Sequence, residues 1–285
     1  MKHAGIELGG TKTVVAIGTN QGEVIEEHRY PTTTPDATIA TAAEWLQERG
    51  TPESIGVAAF GPVAINPSHP RYGNMLDTPK AGWSGGAILT PLARAFPEAK
   101  LTLDTDVNAA VLAEAHFGAA SGMEDVIYIT IGTGIGAGIL SGGRLVHGVM
   151  HPECGHFKVP RAPGDDDFPG VCPFHGDCLE GLASGPSIAK RWGKSAAELR
   201  ADHPAWDTQA WYLAHAVAAL TAVMSPQRVI IGGGVSQAEG LHGKISAILR
   251  KVTNGYFSQI DGDPGFLAPP ALGQQAGICG ALLLR

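Results

Sequence analysis

The sequence predicts an α/β protein made of two related lobes. One observation is a repeated plan of strand, glycine–threonine turn and strand, once around Gly9-Gly10-Thr11 and again around Gly132-Thr133-Gly134. A second is the alternation of short β-branched runs with Ala- and Leu-rich helical stretches, the order that builds layers of sheet and helix. The repeat itself points to a duplicated fold with a cleft between its halves.

Composition narrows the class. At 285 residues the chain is one large domain or two of ordinary size. Hydrophobic residues make up 44% and charged ones 16%, enough core and too little charge for a disordered chain. The formal net charge is −7 with no basic run, which argues against a nucleic-acid surface. No apolar run reaches the roughly 18 residues that a membrane span requires. The opening MKHAGIELGG reads as a strand at once and predicts a cytoplasmic protein without a leader. The 39 glycines fall in clusters, which suggests backbone approaching a ligand.

In chain order, strands at 5–7 and 11–18 flank the Gly9-Gly10 turn. A strand follows those glycines, so the P-loop reading, which needs a helix there, fails. A hairpin tip with Thr11 and Lys12 can still offer backbone N–H groups to phosphate. Residues 36–50 read as a helix with Asp36 as N-cap and Gly50 as stop. A buried strand at 54–59 precedes a turn-rich loop at 66–83, placed near the cleft. A short helix at 89–96 leads to a strand at 100–103 that ends in Asp104-Thr105-Asp106-Val107-Asn108, with a helix from 109 to 118. Acids at the carboxyl end of a strand lie where such sheets place ligands. If the strand continued, Asp104, Asp106 and Asn108 would share a face. One of them is expected simply to cap the helix.

The second glycine hairpin lies between strands at 125–130 and 139–140. Its glycines are spaced wrongly for a dinucleotide fingerprint, and a strand rather than a helix follows. Helices are predicted at 187–192, 208–224 and 241–252, with a last one at 276–284. A strand at 228–231 runs into Gly232-Gly233-Gly234, which permits close approach of a flat or anionic ligand.

The densest chemistry lies between His151 and Pro186. Cys172, His175 and Cys178 form C-x-x-H-x-x-C, and His156 is the natural fourth donor of a tetrahedral zinc site. A tight Cys/His cluster in a reducing compartment is metal-binding more often than bridged. Cys154 is left out of the set, and Cys279 reads as a packed core thiol.

These pieces together resemble the ROK family of sugar kinases across essentially the whole chain. Gly9-Gly10-Thr11-Lys12 and Gly132-Thr133-Gly134-Ile135-Gly136 resemble its two phosphate loops, and Ile231-Gly232-Gly233-Gly234 its adenosine loop. Thr105-Asp106-Val107-Asn108-Ala109-Ala110 is similar to its catalytic signature, and Glu153-Cys154-Gly155-His156 to its sugar motif. Two departures stand out. Glu7 replaces the usual Asp before the first glycine pair, and Cys172-Pro173-Phe174-His175 replaces the commoner C-x-C-G zinc signature. With Thr78-Pro79-Lys80 and Gly82-Trp83, these features resemble the bacterial zinc-containing fructokinase branch.

The resemblance implies a two-lobed actin-like/ribonuclease H-like ATPase fold. It places an N-terminal lobe at 1–115, with the C-terminal helix 274–285 packing back on it. A C-terminal lobe at 116–273 carries the zinc loop 151–180, and a hinge is expected near 110–120. It implies an ATP-dependent hexose kinase, a fructokinase first, that makes fructose 6-phosphate with Asp106 as base. Thr105, Asp106, Glu153, His156 and Glu180 would bind the sugar. Gly9, Gly10, Thr11, Lys12, Gly132, Thr133, Gly134, Gly232, Gly233 and Gly234 would bind ATP with Mg²⁺, which Glu7 reaches. Zinc on His156, Cys172, His175 and Cys178 would be structural, with the second nitrogen of His156 turned to the sugar. A homodimer is usual for the family. Mannokinase, glucokinase and N-acetylhexosamine kinase are the neighbouring readings. A non-catalytic sugar-binding regulator or a sugar-responsive repressor is the rival from another class, and a repressor would carry an N-terminal helix-turn-helix that this sequence lacks.

Overall fold

The computed structural model describes residues 2–284 and divides the chain into two compact units. The first takes the chain up to Gly118, then 145–151, then the chain from Leu272. Its strands β1 (His3–Leu8), β2 (Lys12–Gly18) and β3 (Val24–Pro31) are joined by antiparallel pairing of β2 with both β1 and β3. Helix α1 (Pro35–Gln47) carries the chain to β4 (Ser54–Ala59), and α2 (Leu89–Ala95) carries it to β5 (Lys100–Thr105). Both β4 and β5 pair in parallel, so the order is β3-β2-β1-β4-β5. Helix α3 (Asp106–Phe117) starts directly at the end of β5.

The two-residue period of a strand divides this sheet's faces. Ala4, Ile6, Leu8, Val15, Ile55 and Val57 pack with Ile39, Trp45 and Leu46 of α1. The opposite face carries Val14, Ala16 and Ala58, and there the chain's small residues matter. A Cβ on Gly56 would collide with the carbonyl of Ala281. The 66–83 loop is held down by buried Met75 and Trp83, and the Trp83 indole N–H donates to Thr33 O at 2.7 Å.

The second unit holds 119–144 and 152–271. Strands β6 (Val126–Ile131) and β7 (Ile135–Ser141) form an antiparallel hairpin, and β8 (Arg144–Leu145) lies at its edge. After a long loop come α4 (Leu179–Ala183), α5 (Gly185–Trp192) and α6 (Ala205–Met224). Strand β9 (Arg228–Gly232) pairs in parallel with β6, followed by α7 (Leu241–Thr253), α8 (Ser258–Gly262) and β10 (Leu267–Ala268). The order β8-β7-β6-β9-β10 repeats the plan of the first sheet: a glycine hairpin, then parallel strands. The closing helix α9 (Ala276–Leu283) lies on the first sheet beside α3. Gly280 allows that closeness, because a Cβ there would overlap the carbonyl of Ala109.

Several local expectations change. Thr34, not Asp36, caps α1: its hydroxyl accepts from Ala37 N at 3.4 Å, and Pro35 takes the first helical position. Helix α3 begins at Asp106 rather than 109, so Asp104, Asp106 and Asn108 do not alternate along one strand face. Residues 145–151, placed by the sequence reading in the second lobe, belong to the first unit, and the unit boundary falls after Gly118. Strand β3, helix α4 and strand β10 were not foreseen. No helix of the described residues is long and apolar enough to cross a membrane.

Candidate active site and metal centre

Asp106 is the first residue of α3, directly after the last strand of the first sheet. The chain turns there because Thr105 is extended, and its hydroxyl accepts from Asn108 N at 3.2 Å. One Asp106 oxygen, Oδ1, accepts from Val107 N at 2.8 Å. Burial pushes the Asp106 carboxyl up to about 6, against the pull of the Val107 N–H. A carboxylate so tuned at a helix N-terminus can accept a proton near neutral pH. Beside it stands Asp104, which is buried. Its Oδ1 accepts from Thr105 N at 2.8 Å and from the Asn108 amide at 2.6 Å, and its Oδ2 accepts from His147 Nε2 at 2.8 Å. The sequence reading noted Asp104 and passed over His147, which no spacing in the chain connects to it.

Glu7 is the next-to-last residue of β1, and its carboxyl lies against Gly277 of α9. Burial raises its carboxyl to about 7, helped by nearby Asp106 and opposed by Lys12 and Arg29. Its Oε2 is buried and has no hydrogen-bond partner among the described residues. A carboxylate oxygen in that condition is suited to a cation or to a water that a cation holds. The adjoining hairpin tip is tied down at several points. Gly9 N donates to Lys12 O at 3.1 Å, Thr32 Oγ1 to Gly9 O at 2.8 Å, and Lys80 Nζ to Gly10 O at 2.5 Å. Gly10 and Thr11 are exposed at the tip, while Lys12 is half-buried, with its ammonium 3.4 Å from Gln274 Oε1.

In the second unit the corresponding tip is fixed from the metal-loop side. Gly132 N donates to Gly134 O at 2.9 Å, and Gly185 N to Gly132 O at 2.8 Å. Ile135 N donates to Glu180 Oε2 at 3.0 Å, and a Cβ on Gly134 would stand 2.6 Å from that oxygen. Thr133 is exposed between them. Glu180, expected at the sugar, therefore has one oxygen committed to the glycine hairpin. Gly232, Gly233 and Gly234 follow β9, and Gly233 has φ +88 with Ile131 against its α-carbon, so only glycine suits it.

His156, Cys172, His175 and Cys178 bring one donor atom each within 4.8 Å of one another. His156 Nδ1 lies 3.8 Å from Cys172 Sγ and 3.6 Å from Cys178 Sγ, and His175 Nδ1 lies 3.6 Å from Cys172 Sγ. Tetrahedral bonds of about 2.3 Å to sulfur and 2.0 Å to nitrogen give nitrogen–sulfur edges of about 3.6 Å. Two thiols and two imidazoles at these spacings fit zinc. Burial raises the Cys178 thiol, so its thiolate form calls for a cation. The turn closes through paired Cys172 and Gly176 backbone bonds of 3.1 and 3.0 Å, with Gly176 at φ +63. His156 uses Nδ1 toward the sulfurs, which leaves Nε2 pointing elsewhere, and Glu153 is exposed at the start of the same short turn. Cys154 stays outside the cluster, and Cys279 is half-buried rather than fully packed.

The predicted residues thus divide by unit. Glu7, Gly9, Gly10, Thr11, Lys12, Thr105 and Asp106 lie in the first, and all the others lie in the second.

Comparison with known proteins gives a consistent result. The profile described as "ROK family" matches residues 3–285. A fructokinase of Zymomonas mobilis is 39% identical over 98% of this chain and 94% of its own. A fructokinase of Pediococcus pentosaceus is 39% identical over 98% and 96%. Among solved structures, a ROK hexokinase from Thermus thermophilus superposes with a TM-score of 0.83 at 28% identity, covering 99% of this chain and 97% of that one.

Proposed function

The chain belongs to the ROK family, and from that premise we propose that it is an ATP-dependent fructokinase. The observation that carries the reading is Asp106. It stands at the N-terminus of α3 with a carboxyl raised to about 6, on a chain whose fructokinase relatives match nearly end to end.

Phosphoryl transfer asks a protein for positioning, charge neutralisation and a base. In this reading the 6-hydroxyl oxygen of fructose attacks the γ-phosphorus of ATP, Asp106 takes its proton, and ADP leaves. In Gly9 to Lys12 and in Gly132 to Gly134, the backbone N–H groups other than those of Gly9 and Gly132, which close the tips, would meet the phosphates together with the Lys12 ammonium. Gly232 to Gly234 leave room for the adenosine. Mg²⁺, when bound, neutralises phosphate charge, and Glu7 with its unpaired Oε2 is the residue that would face it. In the first unit Thr105 would offer the sugar a polar group while also capping α3, and in the second unit Glu153, His156 and Glu180 would do so, with Glu180 also holding Ile135 N. Zinc on His156, Cys172, His175 and Cys178 would be structural, because four protein donors leave no open position. The protein acts as a soluble cytoplasmic enzyme, and a homodimer is the assembly this reading expects.

The test is ADP formation with Mg²⁺ and ATP against fructose, mannose, glucose and N-acetylglucosamine, side by side. The reading expects the highest kcat/KM with fructose. A different best hexose would keep the kinase and overturn the sugar, and no turnover with any of the four would overturn the kinase.

A further inference from the structure

The polar group around Asp104 is more elaborate than a helix start requires. Thr105 already caps α3 through its hydroxyl. Yet the residue before it is a carboxylate only 4% exposed, and such a group persists only with donors arranged about it. Two of those donors come from the cap and first turn of the helix, Thr105 N and the Asn108 amide, and both reach Oδ1. The third is His147 Nε2 on Oδ2, and it comes from a segment far along the chain, 145–151. His147 Nε2 also lies 3.3 Å from Asn108 Nδ2. The amide nitrogen carries only donors, so the ring N–H is directed to the carboxylate. The buried Asn108 Oδ1 has no partner among the described residues, so Asn108 takes its orientation from Asp104.

His147 is a poor stability device. Its side chain is 41% exposed and buries little surface. What it holds is direction. His147 fixes Asp104, Asp104 fixes Thr105 N and Asn108, and Asp106 lies between those two residues. His151 fastens the other end of the same segment, its Nε2 accepting from Val63 N at 3.3 Å.

We propose that His147 is a positioning residue for phosphoryl transfer. Through Asp104 it sets the first turn of α3 and so the direction in which Asp106 presents its carboxylate. This rests on the reading of Asp106 as the base. A base turned by a fraction of an ångström loses rate while the sugar still binds. The bond needs only an N–H at the Nε2 position. Glutamine supplies one there, whereas the amide of asparagine falls short of Asp104.

The experiment compares His147→Gln, His147→Asn and His147→Ala in the full-length, zinc-loaded enzyme. It reads kcat, fructose Kd by calorimetry, and hydrogen exchange at the Val107 and Asn108 amides. The expected result for Ala and Asn is a kcat lower by about 10- to 100-fold, a fructose Kd within about twofold, and faster exchange at both amides. Gln should return kcat to within about threefold of the parent and restore slow exchange. Unchanged kcat in His147→Ala and His147→Asn overturns the proposal. So does an equal loss of rate and sugar affinity, or a Gln variant no better than Asn. If His147→Ala fails to fold, the Gln and Asn pair decides alone. Asp106→Asn run in parallel keeps the two readings apart, since full turnover in that variant sinks the base assignment whatever His147 does.

Discussion

Around Asp104 the chain supplies a donor for each oxygen of the buried carboxylate, whereas around Cys172 it gathers ligand atoms and nothing to neutralise them. Asp104 accepts from Thr105 N, Asn108 and His147 within 2.6–2.8 Å. His156, Cys172, His175 and Cys178 aim two sulfurs and two nitrogens at a common point. The first arrangement is complete when the protein folds. The second is complete only with a cation that turns its thiols into thiolates. On the proposed reading, the base would stay in place whatever the metal supply, while the metal would fix Glu153–His156 and, by way of Glu180, the second glycine hairpin.

The largest effect that could break this comparison is metal loss. Chelation, or Cys178→Ser, should take bound zinc from about one ion per chain to none. It should lower the melting temperature by about 10 °C, as expected for a loss of roughly 3 kcal/mol in a chain of this size. Hydrogen exchange should speed up at 154–157 and 172–181 and at the Ile135 amide, and stay unchanged at Val107 and Asn108. Equal loosening in both regions would end the distinction.

The metal loop has a second anchor that needs no metal, and it sharpens the contrast. Asp165 pairs with Arg191 at 2.8 Å, both nearly buried, and the Arg191 guanidinium lies 3.9 Å over the Phe168 ring. The Tyr212 hydroxyl also meets Asp165. Asp165→Asn leaves a buried guanidinium without its counter-charge and should cost about 3 kcal/mol in denaturant unfolding. Zinc content should stay at one ion per chain, and loss of the ion would mean that the two anchors are one.

A smaller effect concerns pH. Asp106 must be ionised to take a proton, so turnover should rise with pH through about 6 and level off above it. The same shift works against stability. With the folded pKa above the unfolded one, the native state holds the extra proton between them. The penalty therefore grows as pH climbs from about 4 to about 6 and remains above that. Asp106→Asn should be more stable than the parent by about 1 kcal/mol at neutral pH and equal to it near pH 3.5. Equal stability at both pH values would remove the strain from the account. The smallest effect is expected from Lys80→Ala, which frees Gly10 O at the first hairpin. A rise of about threefold in KM for ATP with unchanged kcat would mark that tip as held by independent side chains.

Most of the fold was legible because its signals are local. Runs such as 54–59 and 125–130 are short, largely apolar and bounded by turns, and they appear as β4 and, shifted by one residue, as β6. Strand β3 escaped because its exposed positions carry Glu26, His28 and Arg29, which hide a strand behind polar and charged side chains. The α1 cap was misassigned because Asp36 looks like a cap, until Pro35 claims the first helical position for the chain before it. The cysteine turn could be read because three of its donors recur at one spacing. His147 could not, because its partner Asp104 lies 43 residues away in sequence and only the return of 145–151 to the first unit brings them together. The second task of Glu180 was hidden for the same reason, as Ile135 reaches it across 45 residues.

The measurement that tests the central claim most directly is Asp106→Asn with fructose and Mg²⁺-ATP, read for both turnover and fructose binding. The account predicts a kcat at least about 1,000-fold lower, with fructose affinity within about threefold of the parent and zinc content unchanged. Turnover near the parental rate, or loss of fructose binding together with turnover, would contradict Asp106 as the base.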